Sequence, residues 1–268
     1  MYIDKFKNKG YIFLEDPKTW PTDWISLIEK NRELIINYLA EGHAIINEQE
    51  ELKKSGHEDE IDYFKQNKYN IEFTEFTKSF NALILSTNQQ ILCYHATRLM
   101  DYEVELIKQN GLRKCTQELR KEKIDNLLSN NIIDNQTYES LNKENILNVK
   151  GEARLNLTYV LWGYNILDIS DDGQYANFLN YYGGEVVYKL CPDHIEKKLQ
   201  QLSKPYVVLC NKELNILLDK SNNSLDLSFY LIRVYFYDDP EKKFFSFALR
   251  DMDSLPVFEI IQHDLWNR

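Results

Sequence analysis

The apolar residues of this chain change their spacing near Gln90, and that change constrains the fold more than any other feature of the sequence. Before Gln90 they recur every three or four residues, which is typical of helices that bury one face. Examples are Phe73, Phe76 and Phe80. After Gln90 they gather into short runs such as 91–95, which are typical of buried strands. The sequence therefore predicts an α+β protein with a helical N-terminal region, residues 1–88, and a β-rich core, residues 89–268.

Several elements of the core can be predicted from the same patterns. The charged, amide-rich segment 115–148 keeps a helical rhythm and is predicted to be a helical insertion in the core. Short helices are predicted at Tyr175–Tyr182 and His194–Leu202. Strands are predicted at Leu155–Trp162, Val186–Leu190, Tyr206–Cys210, Phe229–Tyr237, Phe244–Leu249 and Val257–Ile261.

Composition limits the class of protein and its compartment. Hydrophobic residues make up 43% of the chain and aromatic residues 13%, which is typical of a folded globular protein. A net charge of -10, with no basic block, disfavours nonspecific binding to a nucleic-acid backbone, although a local groove could still be basic. The four widely spaced cysteines form no CxxC pair, and no apolar run approaches the length of a membrane span. We expect reduced thiols, a cytoplasmic location and no membrane partner.

Some familiar chemistries lack their motifs. The nine glycines form neither a GxGxxG turn nor a GxxxxGK[ST] loop, which disfavours a Rossmann dehydrogenase and a P-loop NTPase. The five histidines show no HExxH motif and no ligand spacing with cysteine, so no metal site is predicted.

The segment Tyr94-His95-Ala96-Thr97-Arg98 is the strongest candidate for a functional site. His95 lies at the end of a predicted buried strand, in a polar stretch just before a predicted helix. Catalytic and binding groups concentrate at such edges, where a rigid element presents a side chain to a cleft. The alternative interpretation is a core histidine satisfied by a backbone group, and the residues alone leave both open.

Together with Glu105–Leu112, this segment resembles the opening strand and helix of the ADP-ribosyltransferase superfamily, in its His-Tyr-Glu branch of diphtheria-toxin and poly(ADP-ribose) polymerase type. There, a strand ends in His-Gly-Ser or His-Gly-Thr, and the next helix closes on a Gly-Leu turn. The chain is also similar to uncharacterised bacterial proteins that share His-x-Thr-Arg and a later Gly-Gly-Glu. The resemblance covers residues 90–265 and implies a split β-sheet core.

The resemblance implies that NAD is a substrate and that no metal is needed. It implies that His95 donates a hydrogen bond to a ribose hydroxyl and that the backbone of Ala96 holds the nicotinamide carboxamide. Alanine here departs from the glycine of the family. Thr97 would support the turn, and Arg98 would meet the pyrophosphate, because a guanidinium suits paired anionic oxygens.

Two further motif residues complete the implied site. Tyr159 would stack on the nicotinamide ring, unless it is an ordinary strand tyrosine. Glu185, in Gly183-Gly184-Glu185, would be the catalytic glutamate, although it comes earlier in the chain than the glutamate of the family. Glu213 and Glu259 are the alternative carboxylates, and Glu185 could instead mark a structural corner.

The resemblance implies that the chain is a NAD-dependent ADP-ribosyltransferase that modifies a protein or nucleic acid, in the setting of a bacterial toxin or phage-defence effector. An antitoxin or regulatory protein would be a natural partner, and the N-terminal helices would govern the acceptor or partner rather than supply the NAD site. NAD glycohydrolase or RNA 2'-phosphotransferase activity on the same fold is one alternative. A non-enzymatic interaction or immunity protein is the other, which the acidic charge suits slightly better.

Overall fold

The computed structural model describes residues 9–14, 16–55, 66–113, 116–143, 160–164, 179–183, 187, 191–214, 224–236, 244–248 and 254–262. After a 3₁₀ turn at Pro17–Thr19, the helices are α1 Thr22–Lys30, α2 Arg32–Lys54, α3 Asn70–Leu85, α4 Asp101–Asn110, α5 Gln117–Ser129, α6 Asn135–Lys143, α7 Asp193–Leu202 and α8 Ser224–Phe236. The strands are β1 Gln90–Leu99, β2 Leu112–Arg113, β3 Val160–Tyr164, β4 Lys204–Glu213, β5 Phe244–Ala248, β6 Ser254–Leu255 and β7 Val257–Gln262.

Within the described residues, the larger sheet is antiparallel and has five strands in the order β5-β3-β1-β4-β7. β2 and β6 form a separate two-stranded sheet. β1 lies at the centre of the larger sheet and pairs with β4 along its whole length, from Gln90 opposite Glu213 to Leu99 opposite Lys204. The predicted α+β class is therefore confirmed.

Side chains of β1 alternate between two hydrophobic clusters, as the pleat of a strand requires. Odd-numbered residues such as Ile91 and Cys93 belong to a large cluster that also contains residues of α1, α2, α3 and α8. Even-numbered residues such as Tyr94 and Ala96 belong to a second cluster on the other face of the sheet. The large cluster will be called the helix-side core.

Aromatic side chains hold the N-terminal helices of the helix-side core together. The rings of Tyr38 on α2 and Phe73 on α3 are stacked, with centroids 3.7 Å apart. Trp24 on α1 meets Phe80 on α3 edge to face, at 6.2 Å. Helices give way to β1 close to the predicted boundary at residue 88, but the residues on both sides of it share this one core.

Residues 229–236 of the apolar run predicted as a strand at Phe229–Tyr237 form a helix instead, because they lie within α8. Tyr237 lies outside the described residues. Tyr230, Leu231, Ile232 and Val234 are all buried. A helix buried on most of its surface is apolar at nearly every position, so its sequence loses the helical period and looks like that of a buried strand. The strands predicted at Tyr206–Cys210 and Val257–Ile261 are confirmed as β4 and β7, and the strand predicted at Phe244–Leu249 is confirmed over its described residues 244–248 as β5.

The predicted insertion 115–148 contains α5 and α6, which confirms its helical character in the described residues. These helices pack with α7 in a third hydrophobic cluster. The cluster contains Met100, Ile124, Leu127, Ile133, Leu141, Tyr182, Val187, Ile195 and Leu199. The predicted helix His194–Leu202 is confirmed as α7, whereas most of the predicted elements at Tyr175–Tyr182 and Val186–Leu190 lie outside the described residues.

Among the helices described, none combines the length and the apolar character that a membrane crossing demands.

Asn81 on α3 offers a test of the helix-side packing, because its side chain is only 6% exposed. Neither its amide nitrogen nor its amide oxygen has a hydrogen-bond partner within the described part of the chain. Burying an unpartnered amide costs about 1–3 kcal/mol. We therefore expect Asn81→Leu to raise the free energy of unfolding by about 1–2 kcal/mol, which urea denaturation would measure.

Asn67 is the matched control, because it is equally buried but its amide nitrogen donates to the carbonyl of Tyr38 at 2.9 Å. Asn67→Leu should lower the free energy of unfolding. Destabilisation by Asn81→Leu would mean that the Asn81 amide makes a stabilising contact.

Candidate functional site

His95 and Thr97 lie together on the helix-facing side of β1. Along that face, Ile91 and Cys93 are buried, His95 and Thr97 are half-buried, and Leu99 is buried again. The residues opposite on β4 are the buried Val208 and the half-buried Tyr206. The structure thus brings the predicted histidine and threonine to one partly open stretch of the sheet.

Backbone groups of β1 also alternate in direction. The amide of Leu214 donates to the carbonyl of Gln89 at 3.1 Å, one pair beyond the end of the β1 and β4 register. Hydrogen-bonded pairs alternate along an antiparallel ladder, so odd-numbered residues of β1 exchange their backbone bonds with β4. Backbone groups of even-numbered residues therefore point away from β4.

Three contacts on the other side of β1 agree with this direction. The Gln90 carbonyl accepts from the Ile12 amide at 3.0 Å, and the Leu92 amide donates to the Ile12 carbonyl at 3.3 Å. Tyr94 is paired with Trp162 on β3. The amide and carbonyl of Ala96 therefore point toward the β3 side, and Tyr159 immediately precedes β3 in the chain.

Arg98 lies on the opposite face from His95, and its guanidinium group is bound to protein acceptors. Nε donates to Ser203 Oγ at 2.9 Å, Nη1 to the Leu179 carbonyl at 2.8 Å, and Nη2 to the carbonyls of Gln200 at 2.6 Å and Ser203 at 2.8 Å. Gln200 is in the last turn of α7 and Ser203 is its C-cap, so Arg98 satisfies carbonyls that the helix itself leaves open. Four of the five N–H groups are used, and a pyrophosphate would have to displace some of these acceptors.

We expect Arg98→Ala to lower the free energy of unfolding by about 2–4 kcal/mol, because charge-assisted hydrogen bonds are lost and carbonyls lose their donor. Urea denaturation would measure this loss. Arg113→Ala is the matched control, since Arg113 pairs with Glu122 near the surface, where an ion pair contributes little. If Arg98→Ala kept full stability and lost NAD affinity alone, Arg98 would be a cofactor ligand rather than a structural residue.

The segment 179–183 meets the end of β1. Leu179 packs in the same cluster as Tyr94 and Ala96, and its carbonyl accepts from Arg98. Tyr182 is 1% exposed, and its hydroxyl oxygen lies 3.4 Å from that of Tyr102 in the first turn of α4. Burial raises the pKa of Tyr102 to about 12 and that of Tyr182 well above its usual value, so both phenols stay neutral.

Gly183 is required by the turn that follows Tyr182. Its φ is +75°, and a Cβ added there would lie 2.6 Å from Cγ2 of Val187. A side chain would therefore meet both backbone strain and a clash. The first glycine of Gly183-Gly184-Glu185 thus has a structural function. Glu185 and Tyr159 lie outside the described residues.

The two alternative carboxylates lie away from the His95 side chain. Glu213 is opposite Gln90, at the other end of β1, five residues along β4 from the partner of His95 and so about 17 Å away. Glu259 is opposite Leu209, which faces the cluster of Tyr94. Because cross-strand partners share a face, Glu259 and His95 lie on opposite faces of the sheet.

A polar cluster next to this site was missed by sequence reasoning. It consists of Tyr102, Glu103, Lys123 and Tyr182. The one signal in the sequence was Glu103, at the third position of α4, where a carboxylate caps the preceding backbone. No group of three or more histidine, cysteine, aspartate or glutamate residues that could hold a metal ion is found in the described residues.

No protein-family model matches this sequence, and no curated protein or solved structure matches the chain. The functional argument therefore depends on the geometry of the chain itself.

Proposed function

We propose that this protein is a NAD-dependent ADP-ribosyltransferase that modifies a protein or a nucleic acid, with a split-sheet core of that superfamily and a cytoplasmic location. One observation carries the proposal. Two other segments that bear motif residues contact the second half of β1, which carries His95 and Ala96: β3 pairs with β1 directly after Tyr159, and 179–183, directly before Gly184-Glu185, packs on the face of Ala96 and Arg98.

His95 and Ala96 suit their proposed parts, whereas Arg98 has a different one. The half-buried His95 can donate to a ribose hydroxyl. The backbone of Ala96 points toward β3, on the side from which a carboxamide next to Tyr159 would approach. Arg98 serves as a support that holds α7 and the carbonyl of Leu179 against β1, and this role replaces the pyrophosphate contact.

In the proposed reaction, the bond between the ribose C1' and the nicotinamide nitrogen breaks, and its electron pair leaves with nicotinamide. An oxygen or nitrogen of the acceptor forms the new bond to C1' and releases a proton. Glu185 would stabilise the cationic ribose and orient the acceptor, since a preorganised charge acts most strongly where opposite charge develops.

Arg98 does not supply the cationic side chain that removal of an RNA 2'-phosphate would need. A phosphate-releasing site needs cationic side chains that face the substrate, whereas the Arg98 guanidinium already has four protein acceptors.

The decisive experiment incubates the purified protein with NAD labelled in the ADP-ribose part and with a cell extract, and then recovers protein and nucleic acid separately. Label in either fraction supports transfer and identifies the acceptor class. Free ADP-ribose with no labelled macromolecule would indicate a glycohydrolase. Intact NAD in every sample would overturn the proposal and favour a non-enzymatic interaction protein.

A further inference from the structure

A buried charged network links the start of α4, the middle of α5 and the turn at Tyr182. Glu103 is 4% exposed, and one of its carboxylate oxygens accepts from the Met100 amide at 2.8 Å. Its other oxygen accepts from the ammonium of Lys123. The Lys123 ammonium lies 5.6 Å from the ring centre of Tyr182, within range of a cation–π contact. Three separate segments of the chain therefore meet at one charge pair.

Stability alone does not account for this arrangement. Taking two charges out of water costs about as much as their attraction returns, so a buried ion pair is weak evidence for stability. A fully satisfied polar network does, however, hold its members in one geometry. The amide of Met100, directly after β1, fixes the carboxylate of Glu103. This carboxylate holds the ammonium of Lys123, which in turn contacts the ring of Tyr182.

We propose that Glu103, Lys123 and Tyr182 are positioning residues, which hold the turn at 181–183 against the end of β1 so that the proposed transfer site keeps its geometry. The inference rests on the proposed function. It assigns a role to residues that do not themselves touch NAD, through the turn that immediately precedes Gly184-Glu185 in the chain.

Lys123→Met in the full-length chain is the test, because methionine keeps much of the side-chain length and removes the charge. We expect the rate of transfer at saturating NAD to fall about 10- to 100-fold, since small misplacements of a reacting group have effects of this size. NAD affinity should change by less than about twofold, because the NAD contacts proposed for His95 and Ala96 are left in place. Hydrogen exchange of amides in 181–183 should become faster.

Lys121→Met is the matched control. Lys121 lies on the same helix and pairs with Asp125 at the surface, at 2.6 Å. It should change neither the rate nor the exchange of 181–183. If Lys123→Met fails to fold because Glu103 is left unpaired, the double variant Glu103→Gln with Lys123→Met removes both charges and takes its place.

The two proposals can fail separately. If the wild-type chain has no activity on NAD, the proposed function fails, and hydrogen exchange still tests the network. Unchanged exchange of 181–183 in a folded Lys123→Met or double variant overturns the positioning role. An equal loss of rate in Lys121→Met overturns it as well.

Discussion

Glu185→Gln should reduce ADP-ribosyl transfer by a factor of about 100 to 1,000, or about 3–4 kcal/mol in the barrier, while most NAD affinity remains. Glutamine keeps the shape of the side chain and removes the negative charge that would face the developing cation. The ribose is neutral before the bond to nicotinamide weakens, so binding in the ground state depends little on that charge. Single-turnover transfer of labelled ADP-ribose and calorimetric titration with NAD would measure the two effects.

Other variants make this prediction specific. His95→Ala should weaken NAD binding itself by about 1–2 kcal/mol through a lost hydrogen bond. Glu213→Gln should retain transfer, because Glu213 lies at the far end of β1 from His95. Full activity of Glu185→Gln would place the catalytic carboxylate elsewhere. An unfolded Glu185→Gln would show that Gly183-Gly184-Glu185 is a structural corner.

Deleting residues 1–88 should unfold the remaining chain, which is the second large effect that we expect. The deletion removes the side chains of α1, α2 and α3 that belong to the helix-side core, including Trp24, Tyr38 and Phe80. Exposing four buried side chains such as Ile91, Val208, Leu227 and Leu231 would alone cost roughly 6–12 kcal/mol, at about 1.5–3 kcal/mol each. That is comparable to the whole stability of a typical protein, about 5–15 kcal/mol. Circular dichroism and thermal melting of the 89–268 fragment would measure the loss.

Co-expression of 1–88 with 89–268 as two chains is the control for this deletion. The pair should form a complex that melts cooperatively, because the missing surface is then supplied in trans. A fragment 89–268 that melts cooperatively on its own and binds NAD would show instead that residues 1–88 are an independent unit. That outcome would agree with the sequence-based prediction that these helices do not supply the NAD site.

The sequence predicted the fold best where the apolar pattern was regular. The helical spacing of Phe73, Phe76 and Phe80 identified α3, and the apolar run before His95 identified β1, since each element has one clear buried face. The pattern failed for α8, where burial on most sides removes the period.

Prediction of the site was limited by contacts that join distant residues. The sequence predicted that His95 ends the buried strand, which is wrong, because β1 continues through Thr97 and Arg98 to Leu99. Strand alternation then separates the side chain of His95 from that of Arg98. The acceptors of Arg98 lie in other segments, at Leu179, Gln200 and Ser203, so no local pattern could reveal its structural role. The same holds for Glu103 and Lys123, whose pairing depends on how α4 and α5 pack.

The central position of β1 also has a consequence for biosynthesis. Arg98 and Ser203 are 105 residues apart in the chain, and β1 has β4 as a neighbour along its whole length. At roughly 5–20 residues per second, a ribosome needs about 5–20 s to make the chain between them. During that interval β1 has emerged without this partner strand, and an unpaired apolar strand is prone to aggregate. Chaperone supply and translation speed should therefore govern how much of this protein reaches its native state in a cell.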